Sequence, residues 1–197
     1  SSVAKEIYGA DASRPAMAAW GEMKKALDGW SIICWHQRMN WPVMMWQDAF
    51  YHRDLTAPPP RAEPPPLPGQ TVRDDCPLEV WHALAANLEA VVAGYDRALA
   101  HYHQVIALSA PPSAEEARFH HDSLALGRCF HVMGRHTCLA HLASRAGRVV
   151  ETPVLIEAIR NLESIVRLSD RLGTFEYPRQ WYTEAIAAMR REVRKRC

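Results

Sequence analysis

The chain has 197 residues, of which 48% are hydrophobic, and its 23 lysines and arginines nearly balance its 22 aspartates and glutamates. A chain of this length can bury the core of one domain, or of one domain with an arm. The charge balance excludes a bulk electrostatic attraction to nucleic acid or to an anionic membrane. Its apolar stretches are too short to span a bilayer and no signal peptide opens it, which predicts an intracellular protein, cytoplasmic or nuclear.

The first 56 residues are predicted to form an aromatic-rich helical arm, with helices at about residues 14–40 and 43–53 on either side of Pro42. Tryptophan and methionine are common at protein interfaces, because they offer a large or adaptable contact area. We expect the arm to anchor a protein partner or a second copy of the chain, or to pack on the chain's own helices. The candidate anchors are Trp30, Trp35, Trp41, Met44, Met45 and Trp46.

A proline-rich linker is predicted at residues 57–75. Seven of the 14 prolines of the chain lie between Pro58 and Pro68. Proline fixes φ and lacks an N–H group, so such a run is typical of an extended polyproline II spacer and excludes a helix.

The remainder, residues 76–197, is predicted to be a helical bundle. Its first helix is expected to run from near Pro77 to about Leu108. Apolar residues recur there at steps of three and four, which is the spacing of a single face of a helix. The stripe consists of Trp81, Leu84, Leu88, Val91, Tyr95, Leu99, Tyr102 and Ile106.

The second helix of the bundle is predicted to begin with a capping box. Ser113 and Glu116 have the spacing at which each side chain can satisfy a free backbone N–H of the first turn. This helix either runs unbroken to Ala146, with Gly147 as its terminating residue, or turns at Gly134 to form a hairpin.

Two further helices complete the prediction. One is expected to begin with Thr152 as its cap and Pro153 in its first turn, and to end at Gly173. The other is expected to begin at Pro178. Since no stretch alternates at period two, we predict no sheet. The predicted fold is all-α, a helical bundle or a short array of antiparallel helices.

A cluster of histidines and cysteines raises the alternative of a helical metal-binding protein. Zinc takes imidazole and thiolate ligands. On one continuous helix His131, Cys138 and His141 lie near the same side, so they are the candidate metal ligands. A complete site would need further ligands, for instance His101 or His103. No other cofactor is predicted.

A second alternative is nucleic-acid binding by the basic C-terminal helix, through phosphate contacts. The same charges also have a purely structural explanation, since cations stabilise the C-terminus of a helix. The residues concerned are Arg190, Arg191, Arg194, Lys195 and Arg196.

Motifs of catalysis do not support an enzyme. The sequence has no Gly-x-Ser-x-Gly elbow, no phosphate-binding glycine loop and no dinucleotide fingerprint. We therefore predict a non-enzymatic protein-interaction module or assembly subunit.

Overall fold

The computed structural model describes residues 2–28, 78–173 and 179–196. These ranges contain helices and no strand, so the prediction of an all-α fold is confirmed for them. The predicted linker and residues 29–56 of the predicted arm lie outside the described ranges. The helices are α1 (Ser2–Tyr8), α2 (Ala10–Asp28), α3 (Leu78–Leu108), α4 (Pro111–Arg145), α5 (Thr152–Leu172) and α6 (Arg179–Arg196).

Helix α4 is the structural centre of the described part. It packs against α3 along one side and against α5 along another. Helix α2 lies on α3, α1 packs on α2 and also contacts α4, and α6 lies on α5. Residues 2–28 of the predicted arm therefore pack on the bundle. At 1.5 Å per residue α4 is roughly 50 Å long, long enough to contribute to two separate cores.

Two of the hydrophobic cores of the described part lie at different levels of α4. One is formed by α1 to α4 and is built largely from small side chains and tyrosine: Ala4, Tyr8, Ala12, Ala16, Ala19, Ala98, Tyr102, Val105 and Ala117. The other is formed by α4, α5 and α6 and contains larger side chains: Cys129, Phe130, Met133, Ala158, Ile159, Leu162, Ile165, Leu168, Tyr182, Ala185 and Met189.

Helix α4 is continuous, and its predicted capping box is wrong. The helix begins at Pro111 after Ala110, and no side chain caps it. Two prolines suit the first turn, because backbone N–H groups there have no partner within the helix, and proline has no N–H group to leave unpaired. Ser113 and Glu116 therefore lie inside the helix. The predicted terminating glycine is confirmed, since Gly147 has φ +64° directly after the last turn.

The other helix ends differ from the predictions by a few residues. Thr152 is the first residue of α5 and Glu151 precedes the helix, so Thr152 is not the cap. Gly173 ends α5 in a left-handed conformation, as predicted. In the N-terminal region the helix predicted from residue 14 begins at Ala10, and α1 was not predicted at all. The chain turns between α1 and α2 at Gly9, whose φ is +91°.

Helices α2 and α3 approach closely at Gly94. A Cβ atom on Gly94 would lie 2.4 Å from Cβ of Ala26, closer than two non-bonded carbon atoms can approach. We expect Gly94→Ala to lower the free energy of unfolding by about 1–3 kcal/mol in urea denaturation, because the two backbones must separate. The double variant with Ala26→Gly should recover most of this loss.

Gly21 offers a matched control for this substitution. It also lies in a helix, but an added Cβ would meet nothing within 4 Å. Gly21→Ala should therefore raise stability by about 0.5–1 kcal/mol, the usual gain in helix propensity. Equal effects of the two alanine substitutions would contradict the close packing of α2 on α3.

Candidate functional site

The most concentrated group of polar aromatic side chains lies where α1, α2, α3 and α4 meet. The Tyr8 hydroxyl is 2.5 Å from Nδ1 of His120 and 3.4 Å from the Tyr102 hydroxyl. Nε1 of Trp20 donates to the Tyr102 hydroxyl at 3.0 Å. On the outer side, Nε2 of His120 is 3.3 Å from a carboxylate oxygen of Glu116. We call these five residues the aromatic–histidine cluster.

Each helix brings one part of this cluster into place. Tyr8 is the last residue of α1, and its carbonyl accepts a hydrogen bond from Oγ of Ser109, just beyond α3. Trp20 approaches Tyr102 because α2 runs antiparallel to α3, as shown by the ion pair between Glu22 and Arg97 one turn away. The cluster therefore connects all four helices of the first core.

Both tyrosines of the cluster are buried, at 1% exposure for Tyr8 and 3% for Tyr102. Burial raises the pKa of Tyr8 well above its ordinary value, and the electrostatic effect of the neighbouring Tyr102 and Glu116 side chains raises it further. A phenol in these surroundings keeps its proton at neutral pH and acts as a hydrogen-bond donor. It is poorly suited to nucleophilic chemistry, which requires the ionised form.

Further along α4, two of its histidines meet aromatic residues of α3. The ring of His131 lies 5.0 Å from that of Tyr95, and its Nδ1 bonds the Gly127 carbonyl at 2.7 Å. The ring of His141 stacks on Trp81 with a centroid distance of 3.9 Å. These pairs follow the antiparallel register of α3 and α4 and are part of the packing between the two helices.

The candidate zinc ligands are thus engaged with separate neighbours. His131, Cys138 and His141 are all buried on α4. The further ligands considered, His101 and His103, lie too far away, since the His103 ring contacts His121, roughly 25 Å along α4 from Cys138. Within the described ranges no three His, Cys, Asp or Glu side chains converge in a way that could hold a metal ion.

The buried cysteines of α4 have the character of packing residues. Cys129 and Cys138 are both free thiols. Burial raises the pKa of the Cys129 thiol to about 11, against the smaller opposing effect of nearby arginines. Since the thiolate is the reactive form, Cys129 is not an activated nucleophile.

Part of the basic C-terminal helix is used in ion pairs. Arg190 pairs with Glu163 of α5, and Lys195 and Arg196 both pair with Glu192. Arg196 also bonds the backbone carbonyl of Val150.

The remaining two cations of the proposed nucleic-acid surface, Arg191 and Arg194, have no acidic partner within 4 Å among the described residues. Two cations on one turn of helix give a far weaker phosphate-binding surface than the five in the sequence. The nucleic-acid interface stays a prediction.

The predicted anchors, from Trp30 to Trp46, lie outside the described residues and stay a prediction as well.

The aromatic–histidine cluster, in contrast, was not predicted from the sequence. Its members come from four helices and form no local motif, so only the antiparallel pairing of α2 and α4 with α3 brings them together.

Comparison with known proteins identifies no relative. No family model matches the sequence, and neither the curated proteins nor the solved structures provide a match. Within the described ranges, no helix is both long enough and apolar enough to cross a membrane.

Proposed function

We propose that this protein is a helical interaction module or assembly subunit that self-associates through residues 30–46. The observation that carries the proposal is the composition of that segment. It holds four tryptophans and two adjacent methionines: Trp30, Trp35, Trp41, Met44, Met45 and Trp46. A buried tryptophan contributes roughly 150–250 Å² of contact. Four of them match the roughly 800 Å² that each partner contributes to an interface of standard size.

The position of the segment in the fold supports this proposal. Ala26, near the end of α2, lies against Gly94, and α3 begins sixteen residues earlier at Leu78. Ala26 and Leu78, which flank residues 29–77 in the described part of the chain, are therefore separated by roughly 24 Å along α3. A few extended residues could bridge that distance. The segment is much longer, so it has enough chain to carry an association element of its own.

The second core of the bundle also supports the proposal, because it is filled by side chains of the described helices. Leu162, Ile165, Leu168 and Met189 are all buried in contacts among α4, α5 and α6. This part of the bundle can serve as a stable support, as an interaction subunit requires.

The test is the solution mass of the full chain, measured by light scattering over a range of concentrations. We expect a dimer or larger species for the native chain, and a monomer for the triple variant Trp35→Ala, Trp41→Ala, Trp46→Ala, since buried tryptophans dominate interface energies. Circular dichroism should show that the variant keeps its helix content and melts cooperatively.

Two controls test whether association depends on the aromatic side chains of residues 30–46 or on any exposed apolar side chain. The triple variant with phenylalanine at the same positions should keep most of the association, because the aromatic area is largely retained. Phe119→Ala removes an aromatic ring that is 53% exposed on α4, and should leave the mass unchanged. A native chain that is monomeric, together with an alanine variant that loses its cooperative melting, would show that the tryptophans belong to the chain's own core.

A further inference from the structure

The hydrogen bonds of the aromatic–histidine cluster form a chain with one direction. Its two ends fix that direction: the indole N–H of Trp20 can only donate, and the carboxylate of Glu116 can only accept. Trp20 therefore donates to Tyr102, Tyr102 to Tyr8, Tyr8 to Nδ1 of His120, and Nε2–H of His120 to Glu116. Every donor finds an acceptor only when His120 is neutral and carries its proton on Nε2.

From this geometry we propose that His120 is a proton-sensitive latch for helix α1. A proton on Nδ1 makes that nitrogen a donor to Tyr8, so the Tyr8 hydroxyl must turn toward Tyr102. The Tyr102 oxygen then receives bonds from both Trp20 and Tyr8, and its own hydroxyl proton has no acceptor left in the cluster. Protonation of His120 thus weakens the docking of α1, whose last residue is Tyr8.

The balance of effects favours release of α1 in acid. Within the described ranges, the titratable or charged groups that contact His120 are Tyr8 of α1, Tyr102 of α3 and Glu116 of α4. Helix α2 contributes Trp20, which bonds Tyr102 and does not titrate. The ion pair of a protonated His120 with Glu116 gains little, because the side chains are 36% and 53% exposed. The buried hydroxyl of Tyr102 loses its only acceptor among the described residues, which is the larger effect.

The latch is tested by hydrogen exchange of the α1 amides in the full chain, at about pH 7.5 and at about pH 5.5. After correction for the intrinsic rates, we expect protection of α1 to fall roughly ten-fold in acid relative to the amides of α2, which belongs to the same core. Protection that does not change relative to α2 would overturn the proposal.

Variants assign the effect to one side chain. His120→Asn places an amide oxygen near the Nδ1 position, where it accepts from Tyr8 but takes up no proton. Its α1 protection should therefore be independent of pH. His121→Asn is the matched control on the neighbouring residue, which contacts Asp122, and it should keep the acid sensitivity. Acid sensitivity that persists in His120→Asn would overturn the latch.

A spectroscopic measurement keeps the test independent of variant folding. Nitrogen-15 NMR of the histidine rings distinguishes the two neutral tautomers. At neutral pH we expect His120 to carry its proton on Nε2, as the direction of the chain requires. A proton on Nδ1 would reverse the bond to Tyr8 in the resting protein and would overturn the proposal.

Discussion

Replacing Trp81 with alanine is expected to lower the free energy of unfolding by about 3–5 kcal/mol, which is the usual loss for a large buried aromatic side chain. The indole is fully buried near the start of α3. It stacks on the ring of His141 near the end of α4, at 3.9 Å between centroids. Removing it leaves a cavity between the two longest helices. Urea denaturation followed by circular dichroism measures the loss directly.

Trp81→Phe separates the ring stack from the indole N–H. Among the described residues, Nε1 of Trp81 has no hydrogen-bond acceptor. Losing that N–H should therefore cost nothing, while phenylalanine keeps a ring on His141. We expect a loss of less than about 1.5 kcal/mol, the range of well-tolerated apolar replacements. A loss as large as that of the alanine variant would contradict the stacked geometry.

The aromatic stripe of α3 could be predicted because its side chains are large. Trp81, Leu88 and Tyr102 stand out from their polar neighbours at helical spacing, and all three are buried. Alanine gives little contrast in hydropathy, and for this reason α1 and the start of α2 escaped prediction. Their buried face is almost entirely alanine: Ala4, Ala12, Ala16, Ala19 and Ala26. Alanine lets the helices pack closely, a property visible only once α3 is in place.

The metal hypothesis grouped residues by the side of a single helix on which they lie. On a long antiparallel helix pair, however, each residue of α4 meets the residue of α3 at the same level. His131 accordingly meets Tyr95, and His141 meets Trp81. The aromatic–histidine cluster is formed by the same rule, since Tyr102 of α3 lies at the level of His120. Sequence reasoning placed the residues on the correct helices but did not predict which of them meet.

A second large effect is expected from acid, through His136. Its side chain is fully buried between α4 and α5. Nε2 lies 3.5 Å from a carboxylate oxygen of Glu157, beyond a good hydrogen-bond distance, and neither ring nitrogen has a hydrogen-bond partner in the described part of the chain. Burial, and to a lesser extent the charge of Arg135, lowers the pKa of His136 from 6.5 to about 4.

The sign of the effect follows from proton binding. Above about pH 6.5 the imidazole is uncharged in both the folded and the unfolded chain, so His136 causes no loss of the free energy of unfolding. Below that value the unfolded chain takes up a proton that the folded chain excludes, and stability falls until about pH 4, where folded His136 also titrates. The total loss is about 3 kcal/mol. Burial also lowers the pKa of His131, so that histidine adds to the loss in the same direction.

His136→Met isolates this contribution, because it replaces an imidazole without hydrogen-bond partners by an apolar side chain of similar size. Urea denaturation at about pH 7 should show unchanged or greater stability, since no hydrogen bond is lost. The decline toward about pH 4 should be smaller than in the native chain by about 3 kcal/mol. His103→Gln, at an exposed histidine, should retain the native decline. An identical decline in His136→Met and the native chain would mean that His136 is charged, or reached by water, in the folded protein.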